Sequence, residues 1–399
     1  MIVFAGAVLV LPDRVINAGS LVVSDGRIQS IHDRAIDQPA GATYLDLAGH
    51  VIVPGFIDVH VHGVEGVDVL DDEQAVARVA AILPKYGVTA FCPTSLACTP
   101  EKLSALLAGV TAARSTHARG SARVLPAHLE SNFINPEFRG AQPATCLRLP
   151  RAQGARRAQG ALAESAFTGD EILAVIAKVR SSVGIVTLAP ELPGGIDLVL
   201  DLVKHGHRVS LGHTGATYDE ARAAIDAGAR QATHLFNRMS LMSSRAPGVA
   251  GAVLESNAVA AELICDGVHV HPALMSMAIR AKTARRMMAI TDGTAGAGLP
   301  TGSRTRIGDR PIVVTDRCAL LEDGTLAGSI LSMDGAFRTL VKAVTLSLPD
   351  ASRMCSTTPA EELGLPDLGA IATGKAADLV VLGPDLRVRH TYLSGELVE

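Results

Sequence analysis

Two rhythms of apolar and polar positions divide the chain. Near the start, "AGAVLVLPDRVINAGSLVVSDGRIQSIHD" alternates β-branched runs with turn signals at Pro12–Asp13 and Asp25–Gly26. That is the mark of short strands joined by tight turns. The end of the chain, "KAADLVVLGPDLRVRHTYLSGELVE", has the same character. Neither piece is long enough to bury a sheet alone, and pairing the two solves that for both. A small β-sandwich domain built from residues 1–53 and 352–399 is therefore expected.

Between the termini the rhythm changes. Short apolar runs alternate with helical periodicity. Strands are predicted near 55–60, 88–92, 124–129, 185–188, 207–212, 231–234, 258–264 and 287–291. Between most of them lie helical stretches such as "DEQAVARVAAILPKYG", "DEILAVIAKVRSSVG", "YDEARAAIDAGA" and "PALMSMAIRAKTARR". Several end at a glycine, as helices often do. Eight short strands alternating with helices predict an α/β chain whose residues 54–351 form a (β/α)8 TIM-type barrel. A doubly wound sheet stays open as an alternative, although no phosphate-binding glycine fingerprint comes after the first strand. One segment fits neither pattern. "RAQGARRAQGA" repeats RAQGA at 151–155 and 157–161, and it reads as a basic surface loop.

Composition changes the picture mainly by exclusion. With 399 residues, 48% of them hydrophobic, the chain can bury a large core. A net charge of −4 without a long basic run argues against nucleic acid or an anionic membrane as partner. The six cysteines, at 92, 98, 146, 265, 318 and 355, form no CxxC pair. They read as small apolar fillers in a reducing cytosol, so a cytoplasmic location is expected. The opening "MIVFAGAVLVLPDR" lacks a basic n-region and reads as a buried strand rather than a signal peptide or membrane span.

The candidate chemistry lies where barrels keep it, at the C-terminal ends of strands. After the first predicted strand come His60 and His62, two residues apart and so on one face of an extended chain. After the third comes Glu130, after the fifth His213, after the sixth His234 and after the eighth Asp292. Each alone has a bland reading. A strand-end histidine is more often a hydrogen-bonded core residue, Glu130 an ion-pair partner, and Asp292 before Gly293 a turn residue. The chain has 13 histidines, so chance alone puts some at strand ends. Five of eight ends carrying an N or O ligand on one face favours a metal centre of the zinc, iron or manganese class.

These residues sit in motifs that resemble a known family. "PGFIDVHVHG" resembles the first-strand signature of the amidohydrolase superfamily. "HLE", "LGHTGATYDEA", "THLFN", "RAPGVAGAV", "DGVHV", "TDGTAGAG" and "GTLAGS" occur in the order found in N-acetylglucosamine-6-phosphate deacetylases, over nearly the whole chain. The resemblance implies a metal-bearing (β/α)8 barrel with a small β-sandwich from both termini. It implies His60 and His62 as ligands of one metal, Glu130 as bridge, His213 and His234 at the second metal, and Asp292 as ligand and proton shuttle. One or two divalent ions are expected, zinc first. Asn237, Arg245 and His269 match positions that hold a sugar phosphate, with Arg238 beside them. Ala141, Gln142 and the loop Leu326, Ala327, Gly328 and Ser329 are expected to contact the substrate. The implied reaction is hydrolysis of N-acetylglucosamine 6-phosphate to glucosamine 6-phosphate and acetate, by a homodimer or dimer-based oligomer.

The chain also departs from the family pattern. Ser131 and Asn132 stand where members usually have Gly-Pro after "HLE". Arg238 replaces a small residue, and Ser243 and Ser244 precede Arg245 where basic residues or histidines are usual. The hydrolytic core thus matches while the substrate end differs. Two alternatives remain: a hydrolase of another N-acyl amine or a cyclic amide, and a non-catalytic barrel that binds a sugar phosphate. Asp292 argues against the second, because binding alone needs no proton shuttle.

Overall fold

The computed structural model describes residues 1–150 and 166–398. The RAQGA repeat, read above as a surface loop, lies outside the described residues.

The predicted strands form, each within a few residues of its expected place. They are Phe56–Val61, Val88–Ser95, Ala127–Glu130, Val183–Leu188, Arg208–Leu211, Gln231–Ala232, Ala260–Ile264 and Met287–Ile290. Each pairs in parallel with the next. The last meets the first at their C-terminal ends. Asp292 N–H donates to the His60 carbonyl at 2.9 Å, and His62 N–H to the Gly293 carbonyl at 2.7 Å. This closure excludes the doubly wound alternative and puts two candidate ligands at the seam.

The helices arise from capping and spacing. Tyr218–Asp226 begins at Thr217, whose side chain accepts from Glu220 N–H while Glu220 reaches back to the Thr217 backbone. That reciprocal pair satisfies two otherwise orphaned donors. The helix then buries Ala221, Ala224 and Ile225 against the barrel. Gly169–Lys178 starts with the same device at Thr168 and Glu171. Ala75–Ile82 and Pro272–Lys282 complete the helices expected from sequence. Among the described residues no helix is long and apolar enough to cross a membrane.

The termini join as their patterning required. Leu379–Leu382 pairs antiparallel with Val51–Pro54, inside one eight-stranded sheet. Thr43–Asp46 and Val51–Pro54 dock in succession along Ile2–Val10. Phe4, Leu9, Leu21, Ile52, Leu379 and Tyr392 pack one face of this sheet. Phe4 meets Tyr392 edge-on, with ring centroids 4.8 Å apart. The chain passes from sheet to barrel at Gly55, where a Cβ would lie 2.1 Å from Thr89 Oγ1. Only glycine fits so close an approach.

Several elements have no counterpart in the sequence reading. Residues 348–362 are helical, although 352–362 were expected in the β-sandwich, and Met354 and Cys355 pack into the barrel core. Arg304–Ile307, Arg310–Val314 and Ala319–Leu321 form a small antiparallel sheet after the eighth barrel strand. Ile307, Ile312 and Leu321 cluster with Leu96 and Ala327. This cluster brings the 324–329 segment over the barrel mouth.

Candidate metal centre and substrate pocket

All six candidate ligands converge. His60 and His62 leave the first strand with their Nε2 atoms 3.2 Å apart. Asp292 Oδ1 stands 3.4 Å from the first and 3.1 Å from the second. Across the mouth, His213 Nε2 and His234 Nε2 each lie 2.8 Å from Glu130 Oε1 and 3.0 Å from one another. Glu130 joins the two groups. Its Oε2 is 3.5 Å from His62 Nε2, and its Oε1 is 3.8 Å from His60 Nε2. None of the six is more than 6% exposed.

The donor set fits a cation. His62 Nδ1 is 3.0 Å from the Thr94 carbonyl, His213 Nδ1 is 2.8 Å from the Phe138 carbonyl, and His60 Nδ1 is 2.9 Å from Glu262 Oε2. Those oxygens can only accept, so each Nδ1 carries a proton and Nε2 is the atom each ring offers to a cation. Two carboxylates this close among three rings call for positive charge between them, which a metal ion supplies or, without one, protons on the rings. The electrostatics agree. Burial alone lowers the pKa of His60, yet Glu262, Asp292 and Glu130 raise it to about 10. His62 and His234 are raised by neighbouring carboxylates against the same burial. Burial would raise Glu130 and Asp292, but the surrounding histidines hold both below their ordinary range. Two facing clusters of N and O donors therefore have the make-up of a divalent metal centre.

Three of the candidate ligands hold strained backbone conformations. His213, His234 and Asp292 have φ of +48°, +32° and +50°. Such conformations cost on the order of 1–3 kcal/mol each in non-glycine residues and gather at functional sites. His234 Nδ1 is buried and has no hydrogen-bond partner among the described residues.

Residues that the sequence reading did not single out hold this floor in place. Glu262, wholly buried on Ala260–Ile264, accepts from His60. Its signal was there to find: a lone carboxylate within the apolar run "AVAAELI". His128 lies with His60 and Glu262 in a third cluster. However, its nitrogens already face the Val59 carbonyl at 3.0 Å and Thr187 Oγ1 at 2.8 Å. Burial pushes its pKa down to about 4, so it is a neutral, hydrogen-bonded residue beneath the centre. Gln142 was expected at the substrate and also grips the metal bridge. Its Oε1 accepts from Ala97 N–H at 2.8 Å, which turns its amide N–H to Glu130 Oε2.

A cavity of about 480 Å³ opens above this floor. Ala141, Gln142, Asn237, Arg238, His269, Leu326 and Gly328 line it. His269 is fixed by Asp266, with Nδ1 2.6 Å from Oδ2. Asn237 donates to the His234 carbonyl at 3.2 Å. Arg238 is exposed at φ +51° and forms no ion pair among the described residues. Ala327 and Ser329 are buried and do not line the cavity. Instead Ser329 braces the Asp292 turn, donating from its backbone to the Asp292 carbonyl at 2.7 Å. Gly328, at φ +50°, leaves room for that carbonyl, which a Cβ would meet at 2.7 Å. Arg245 stands exposed on the loop after Asn237 and does not line the cavity. The departures at 131 and 132 are structural ties. Ser131 Oγ donates to the Thr187 carbonyl at 2.5 Å, and Asn132 Nδ2 to the Cys98 and Cys146 carbonyls at 2.8 and 2.7 Å. A second cavity, of about 560 Å³, lies between the end of Pro100–Thr116 and the terminal sheet. Its two arginines are already paired, Arg119 with Glu396 and Arg123 with Asp378.

Comparison with known proteins places the whole arrangement. The amidohydrolase family pattern matches residues 51–398. The N-acetylglucosamine-6-phosphate deacetylase of Bacillus subtilis (strain 168) is 32% identical, over 98% of this chain and 95% of its own. The N-acetylgalactosamine-6-phosphate deacetylase of Escherichia coli O157:H7 is 33% identical, over 94% of each. A mutant of the Mycobacterium smegmatis N-acetyl-D-glucosamine-6-phosphate deacetylase, solved with N-acetyl-D-glucosamine-6-phosphate, superposes with a TM-score of 0.87. It is 32% identical and covers 100% of this chain and 99% of its own.

Proposed function

The chain belongs to the amidohydrolase family, among the amino sugar phosphate deacetylases, and on that premise we propose that its substrate is N-acetylglucosamine 6-phosphate, cleaved to glucosamine 6-phosphate and acetate. The observation that carries this reading is the pair of ligand clusters joined by Glu130 at the base of the cavity. A purely structural zinc would be closed and usually rich in thiolates, whereas this floor opens on a cavity and contains no cysteine.

Two divalent ions fit, zinc first: one held by His60, His62 and Asp292, the other by His213 and His234, with Glu130 between them. When bound, such ions supply a water of lowered pKa and a polarised acyl oxygen. The protein's own groups do the rest. Asp292, kept ionised by the histidines beside it, takes a proton from the attacking water at its carboxylate. It then gives that proton to the departing amine nitrogen, acting as base and then acid. Gln142 holds the Glu130 carboxylate in one orientation. Asn237, Arg238 and His269 line the cavity and would hold the phosphate. Arginine grips phosphate through forked, charge-assisted hydrogen bonds.

Acetate release is the test. N-acetylglucosamine 6-phosphate, its galacto epimer and unphosphorylated N-acetylglucosamine are compared at equal concentration. The first is expected to be cleaved fastest and the epimer next. Equal rates with and without phosphate, or cleavage of another N-acyl compound alone, would remove the substrate assignment.

A further inference from the structure

We propose that Glu262 is a positioning residue of the metal centre: by accepting the Nδ1–H of His60 it keeps that ring's Nε2 lone pair aimed into the His60, His62 and Asp292 cluster. The proposal rests on the metal-centre reading above and goes beyond it, to the residue that makes one of the two clusters able to bind.

A carboxylate with no exposure inside a barrel needs partners for both oxygens. An arginine would be the usual structural answer, yet Glu262 has none among the described residues. Its Oε2 accepts from His60 Nδ1 at 2.9 Å and from the His234 backbone N–H at 3.2 Å. Its Oε1 accepts from Gln231 Nε2 at 2.6 Å. One oxygen thus touches a ligand residue of each cluster: the ring of His60 and the strained backbone of His234, at φ +32°. His128 Nδ1 is 3.7 Å from Oε1 and is already bonded to the Val59 carbonyl.

The direction of every bond in this line is determined. Arg208 can only donate, and its Nε gives a hydrogen bond to Gln231 Oε1 at 2.7 Å. The Gln231 amide therefore cannot turn over, and its N–H must face Glu262. Glu262 can only accept, so the ring proton of His60 must sit on Nδ1. Arg208 is itself anchored on Glu362. A chain of donors and acceptors thus runs from the floor of the barrel to His60 and sets its tautomer. His62 and His213 are set by backbone carbonyls. Of these three rings, only that of His60 depends on a side chain that mutation can change.

The test uses that polarity. Glu262→Gln leaves one acceptor oxygen where two are needed. Whichever way the new amide turns, its N–H meets either His60 Nδ1–H or the Gln231 amide. The ion at the His60 cluster is expected to bind at least about tenfold more weakly, the usual scale for losing a partner of a metal ligand. The ion at Glu130, His213 and His234 is expected to remain. Metal titration of the stripped protein reads both affinities, and the absorption spectrum of the cobalt-loaded protein reports each site's geometry. The double variant Gln231→Glu with Glu262→Gln restores the order of donors and acceptors. The carboxylate at position 231 accepts from Arg208 and from the amide at position 262, whose oxygen then faces His60. It is expected to recover most of the lost affinity, and it decides the matter alone where the single variant fails to fold. The proposal is overturned if Glu262→Gln binds both ions as wild type does, or if the double variant leaves the His60 cluster as weak as the single variant or without its ion. Wild-type protein that takes up no divalent ion would instead overturn the metal reading itself.

Discussion

The floor of the cavity and its rim are built on different plans. On the floor, His60, His62, Glu130, His213, His234 and Asp292 stand on or just beyond barrel strands and are almost wholly buried. Their neighbours each have a single possible role: Glu262, Gln142 and the carbonyls of Thr94 and Phe138 against the ligands, and Ala97 N–H behind Gln142. On the rim, Asn237, Arg238 and Leu326 ride on loops, and Arg238 and Arg245 are exposed without an ion pair among the described residues. On the proposed function the scaffold fixes the chemistry, while the loops carry the choice of substrate, as is general for barrels. Floor changes should act on metal and kcat, and rim changes on discrimination between substrates.

The largest effect is expected from Glu130→Ala. It removes the side chain that reaches both clusters, so tight binding of both ions and measurable acetate release should be lost together. Elemental analysis showing one ion at wild-type occupancy would break the bridging role. Next is Asp292→Asn, which keeps the shape but cannot take a proton. General acid–base catalysis is worth roughly 10²–10⁴-fold, so kcat should fall by that order while metal content largely holds. A kcat within about tenfold of wild type would sink the shuttle.

His60→Ala probes the floor one cluster at a time. Metal content should fall from close to two ions per chain to close to one, with the Glu130, His213 and His234 ion retained. No change in content would remove His60 from the ligand set.

Smaller effects are expected at the rim. Hydrogen bonds to charged groups are worth about 1.5–3 kcal/mol each, and a phosphate held by two or more should be worth at least about a hundredfold in kcat/KM. Steady-state kinetics with the sugar lacking its phosphate measures this. Arg238→Ala removes one such bond and should cost about tenfold on the phosphorylated sugar, with little change on the unphosphorylated one. Equal losses on both substrates would show that Arg238 supports the loop rather than the phosphate, and the contrast between floor and rim would weaken.

The same division governs what could be read before the structure. Short apolar runs and the helices between them placed all eight barrel strands, and strand ends carrying His60, His62, Glu130, His213, His234 and Asp292 marked the floor. The small sheet of residues 304–321 went unread because its strands are short and only partly buried. The family resemblance named Arg245 for the phosphate, and in this structure it stands outside the lining of the cavity above the metal floor.

The sequence by itself determined the eight strands alternating with helices, the strand character of the two termini and the candidate ligands. All three depend on local periodicity: which residues alternate along a strand, and which residue stands just past its last apolar position. Only the tertiary structure decided which histidines converge and which do not. His128 is two residues from Glu130 on the same strand, yet it turns to Thr187 and Val59, while His213 and His234 reach Glu130 from other strands. It alone set Glu262 behind His60, 202 positions away in the chain. Such contacts depend on strand stagger and on left-handed turns at His213, His234 and Asp292. The packing of the closed barrel imposes those conformations against local preference, so no local pattern records them.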